Sequence, residues 1–135
     1  MQINELTREE KLRRQALVEK TREMILSSLR VEAEDEYSMM LGYRDFYLQI
    51  SFSDVHPLMV LVLARTLDRP QVQICANKLN ELNLQSILGC HAINEEAGCY
   101  CYRATQWLNE ALEAPRFFEI LNRCVEEADF GYYRI

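Results

Sequence analysis

Glycine and proline are scarce in this sequence, four and three residues among 135, and neither occurs between Leu6 and Leu29. No linker-like, low-complexity or repeated stretch divides the chain, so residues 1–135 read as a single domain. Basic residues are outnumbered, 15 Lys and Arg against 21 Asp and Glu, for a formal charge of −6. General binding to a phosphate backbone needs clustered cations, so this balance points away from nucleic acid. No apolar run approaches the roughly 18–20 residues that span a bilayer. The longest, Leu58–Ala64, suits a buried strand, and no membrane association is expected. There is no Gly-rich phosphate loop, no G-x-S-x-G elbow and no H-E-x-x-H pair. Of the two histidines, His56 sits at a turn before Pro57, so His91 has no second histidine near it in sequence. An enzyme is not expected. Residues 1–14 are polar and charged and lack a secretory apolar region. Five cysteines without such a signal imply free thiols in a reducing compartment, and so a cytoplasmic protein.

What is present supports a core: 49% of residues are hydrophobic and 27% charged, near the globular averages. Good helix formers predict a long first helix over roughly residues 4–30. Its apolar stripe is Leu17, Val18, Thr21, Met24, Ile25, Ser28 and Leu29. The charged front half, with Arg8, Glu9, Glu10, Lys11, Arg13 and Arg14, is expected to project or dock loosely. After an acidic link come three expected strands, 37–43, 46–52 and 58–66, the last a continuous apolar run suited to a central position. Residues 70–83 place Val72, Cys75, Ala76, Leu79 and Leu82 at helical steps, with Pro70 at the start and Asn83 as a plausible terminator. Two alternating stretches flank Asn94–Gly98 and predict a hairpin. The last helix follows Pro115, with Phe117, Phe118, Leu121, Cys124, Val125 and Ala128 on its apolar face, and is expected to end at Gly131.

The helix closing in Leu79-Asn80-Glu81-Leu82-Asn83, followed by a hairpin whose second strand ends near Arg103, resembles the YbjN family. The full order, helix, three strands, helix, two strands, helix, is that of the type III secretion chaperone-like fold to which that family belongs. The resemblance covers nearly the whole chain. It implies an α+β domain, α-β-β-β-α-β-β-α, with a twisted antiparallel sheet and helices mainly on one face. For function it implies a non-enzymatic, chaperone-like protein-binding domain, since chaperones of this fold are homodimers that hold an extended segment of another protein. The partner would be a secreted or regulatory protein, and no cofactor is implied.

Strand addition and apolar pockets would supply that binding. Met39, Tyr47, Tyr100, Tyr102 and Arg103 are the candidate partner-binding residues: the methionine can repack, the tyrosines offer amphipathic area and the arginine can meet a carboxylate. The only metal-like cluster is Cys90, His91, Cys99 and Cys101. Cys90 and His91 alternate across the strand, so about three ligands could converge where structural zinc wants four. No bound metal is therefore expected. A small-ligand, metal or thiol-redox sensor built on these residues is the alternative reading.

Overall fold

The computed structural model describes residues 6–67 and 76–135. The expected start of the second helix, Asp68-Arg69-Pro70 through Cys75, lies outside the described residues. Three helices and six strands follow in the order α1 Arg8–Ser28, β1 Ala33–Glu34, β2 Ser38–Tyr43, β3 Phe46–Phe52, β4 Leu58–Thr66, α2 Ala76–Gln85, β5 Gly89–Asn94, β6 Cys99–Trp107 and α3 Ala114–Tyr132. The strands form one sheet in the order β1-β2-β3-β4-β6-β5, antiparallel throughout. This is the expected α+β arrangement, with β1 as an addition. That two-residue strand falls in the acidic link, where composition favours no strand; it exists because the chain folds back on Met39 and Met40.

Thr7 starts α1 with a reciprocal capping box, accepting from the Glu10 N–H while Glu10 accepts from the Thr7 N–H. Leu17, Thr21 and Ile25 recur at i+4 and are the buried stripe. The charged front half is tied down at its end: Arg14 donates to the Ser53 carbonyl, Lys20 to the Glu110 carbonyl, and Arg13 pairs with Glu110 at 3.3 Å. Leu12 ahead of these contacts remains exposed.

β2 and β3 join through Arg44 and Asp45 alone, and Arg44 takes the left-handed conformation (φ 53°). On β3 the residues alternate, Phe46, Leu48, Ile50 and Phe52 inward, Tyr47 and Gln49 outward. β4 sits between β3 and β6, where Met59, Leu61 and Leu63 are closed to solvent. α1 reaches the β1–β3 end of the inner face, with Arg22 over the Phe52 ring and hydrogen-bonded to the acidic link. α3 covers the same face beside it, through Tyr43–Asn122, Tyr102–Glu127 and Tyr132 against Tyr100.

Among the described residues three helix ends differ from expectation. Leu6 and Thr7 precede α1 instead of lying within it, because the Thr7 hydroxyl caps the first turn. α3 does not stop at Gly131 but runs to Tyr132. The glycine is there for space: a Cβ would collide with the His91 imidazole and come within 2.9 Å of the Tyr100 hydroxyl. α2 likewise continues past Asn83 to Gln85, which frees the Asn83 side chain for another task.

Candidate functional site

Because inward and outward residues alternate, one face of the sheet carries the core and the other is left uncovered by α1 and α3. Rows across this open face follow from register. One runs Gly42, Tyr47, Ala64, Cys101, Ala92 and the next Met40, Gln49, Val62, Arg103, Cys90. A third holds Ser51, Val60 and Thr105, and Leu58 pairs with Trp107 at the end. Tyr47 is 62% exposed, Trp107 58% and Met40 39%. Arg103 is exposed, is the only charged side chain in these rows, and forms no ion pair among the described residues.

The two sheet edges are unlike. β5 is the edge on one side, and its backbone is answered by side chains. Asn83 on α2 accepts from the His91 N–H at 2.6 Å and donates to the His91 carbonyl at 3.1 Å, as an added strand would. One turn before, Glu127 on α3 accepts from the backbone N–H groups of Ile87, Leu88 and Gly89 and from the Tyr102 hydroxyl. Burial pushes the Glu127 carboxyl up, but those four donors outweigh it and hold it below the ordinary value. Among the described residues, the opposite edge carries only the two residues of β1, and residues 41–43 of β2 have no strand neighbour on that side.

The candidate partner-binding residues separate accordingly. Tyr47 and Arg103 are open to a partner. Met39, Tyr100 and Tyr102 are fully buried, and in this state offer a partner no side-chain contact. The tyrosines lie beneath α3, where burial raises both phenols. The metal-like cluster is also divided. Cys90 is exposed on the open face, whereas His91 faces inward with its Nδ1 2.5 Å from the Tyr100 hydroxyl. Burial lowers the His91 pKa, against a smaller upward pull from Glu127. Among the described residues no three His, Cys, Asp or Glu side chains converge on a metal position. Only Cys99 and Cys101 meet, their sulfurs 3.7 Å apart.

Sequence reasoning missed the corner between α2 and β5. Leu84 is 78% exposed, Ile87 88% and Leu88 45%. Beside them a groove of about 670 Å³ runs along α3, with Leu82, Ile120 and Phe130 on its apolar walls and Arg116, Arg123, Glu119 and Glu126 along its rim. The signal was the break in alternation at Leu84-Gln85-Ser86-Ile87-Leu88, which places apolar residues where a strand of a covered hairpin would not need them.

No family model matches the chain, and no curated protein matches it in sequence. Solved structures do. YbjN from E. coli, described as a candidate transcription regulator, aligns with a TM-score of 0.64 at 11% identity, over 85% of this chain and 87% of its own. A chain of the HopA1–SchA chaperone–effector complex aligns with 0.58 at 16% identity, over 96% and 99%. The Yersinia pestis type III secretion chaperone SycH, in complex with a fragment of YscM2, aligns with 0.55 at 11% identity, over 87% and 98%. The chain therefore has the fold shared by YbjN and the type III secretion chaperones.

Proposed function

We propose that this chain is a non-enzymatic, cytoplasmic protein-binding domain that holds an extended segment of a secreted or regulatory partner and works as a homodimer. The observation that carries the reading is the asymmetry of the sheet edges. Asn83 and Glu127 occupy the β5 side, while the β1–β2 side has backbone groups free to take a strand. A segment added there can continue onto the open face, where Met40 and Tyr47 offer apolar area and Arg103 can meet a carboxylate. Met39, Tyr100 and Tyr102 support this face from beneath. Two of the structural neighbours are a chaperone–effector complex and a chaperone bound to a fragment of another protein, which agrees with a protein partner. Self-association falls to the α2–β5 corner, whose exposed Leu84, Ile87 and Leu88 form a patch next to an apolar groove.

A photocrosslinking residue placed at Glu34, and separately at Ala92, tests the edge assignment in cells that make the protein. The segment captured from Glu34 is then added to purified protein, and amide exchange should slow at Glu34 and Gly42, whose N–H groups point away from the sheet. Glu34→Pro, which removes one of the edge N–H groups, should weaken binding. Protection confined to β5, or binding indifferent to Glu34→Pro, would overturn the assignment.

A further inference from the structure

Cys99 and Cys101 occupy alternate positions on β6, so both side chains leave the sheet on its open face. Their sulfurs approach to 3.7 Å. Neither is sealed off: both are partly exposed, and Cys99 lines an open depression with Tyr47, Ala64, Thr66 and Ala97. The backbone beneath is held on both sides, by β4 and by β5. We propose that this dithiol is a binding site for a soft monovalent cation, Cu(I), held by two sulfurs.

The alternatives fit the geometry less well. Extended residues i and i+2 lie roughly 6.6–6.8 Å apart along a strand, at the outer limit of Cα separation for a disulfide. A direct S–S bond would buckle a strand paired on both sides, whereas a cation between the sulfurs spans the gap with small side-chain rotations. Zinc wants four ligands. His91 faces the core and Cys90 lies opposite Arg103 rather than opposite Cys101, so among the described residues no third ligand joins the pair. Thiolate donors suit Cu(I), zinc and iron–sulfur clusters, and of these the d¹⁰ monovalent ion is the one that accepts two-coordination.

Binding exchanges protons for metal. Two S–H protons leave as one Cu(I) enters, leaving a bis-thiolate complex of one negative charge, with no change of oxidation state. Arg103, two residues along the same face, is placed to balance that charge. Burial, and then the contact with Cys99, push the Cys101 thiol up to about 11. Cys101 is thus slow toward alkylating agents near pH 7, while a thiophilic cation can still displace its proton.

Reduced full-length protein, kept free of oxygen, is titrated with Cu(I) against the chromophoric chelator bathocuproine disulfonate. A single Cu(I) per chain should be withdrawn from the chelator. Cys99→Ser and Cys101→Ser should each weaken binding by at least about 100-fold, the upper end of what losing even a supporting contact costs a metal site. The double variant Cys75→Ser/Cys90→Ser should bind as the parent does. Native mass spectrometry reads the same stoichiometry from the folded fraction alone, so a partly unfolded variant still decides the question. Full binding in either single variant, or loss in the double variant, would overturn the proposal.

Discussion

At the scale of single residues, the polar groups under α3 matter most. His91 is 4% exposed and packed among Tyr100, Tyr102, Gly131 and, further off, Glu127. Burial depresses its folded pKa below the unfolded value of 6.5, so the unfolded chain binds the extra proton first. The stability this supplies is complete above about pH 6.5 and is lost as pH falls from there toward the folded value. Glu127, also depressed, adds a second loss below its unfolded value of 4.5. Denaturant midpoints measured across pH 4–7 should therefore fall on acidification. His91→Phe should flatten the upper part of that slope and leave the lower part. An unchanged upper slope would mean that the imidazole titrates alike in the folded and unfolded chains.

At the scale of elements, β4 and the β5 edge make opposite demands. Leu61 and Leu63 point into the core from the strand flanked by β3 and β6. Leu61→Asp or Leu63→Asp buries a carboxylate with no partner, so each variant should lose cooperative unfolding or most of its stability, by calorimetry. The neighbouring Val62→Asp, on the open face, should melt close to the parent. At the edge, Asn83→Ala removes both bonds to the His91 backbone and should cost about 1–3 kcal/mol if those groups are left dry. Faster amide exchange at His91, with little change at Tyr102, is the expected signature. Equal acceleration along both strands would place the effect in global stability instead of edge protection.

At the scale of the whole molecule, the distribution of apolar surface predicts assembly. The α2–β5 corner exposes aliphatic side chains beside a groove on the same surface, and the proposed two-fold contact would seat the side chains of each copy in the groove of the other. Light scattering should report a dimer for the parent and a monomer for Leu84→Ser/Ile87→Gln, with the melting temperature of the isolated chain nearly kept, since both side chains are exposed. A parent that stays monomeric across a wide concentration range would remove the corner from the proposed function.

Much of this was legible in order and period. The two-residue link at Arg44–Asp45 between the expected strands, the apolar run of β4 and the alternation of β6 are local, and local propensity reads them directly. The pairing of Cys99 with Cys101 on one face also follows from a period of two. What periodicity cannot say is which of two faces a layer of helices will cover. That choice buried Met39, Tyr100 and Tyr102, exposed Tyr47 and Arg103, and turned His91 away from Cys90. Gly131 has the composition of a helix stop, yet serves as the gap into which His91 and Tyr100 fit, because the clash avoided lies 40 and 31 positions away in the chain. Asn83 likewise looked like an end to α2 until the β5 backbone came within reach of its amide. The sequence by itself determined the elements other than β1 and their order, through short-range sterics and apolar spacing. Only tertiary packing decided which edge stays open and which residues a partner can touch, since both depend on contacts between segments distant in the chain.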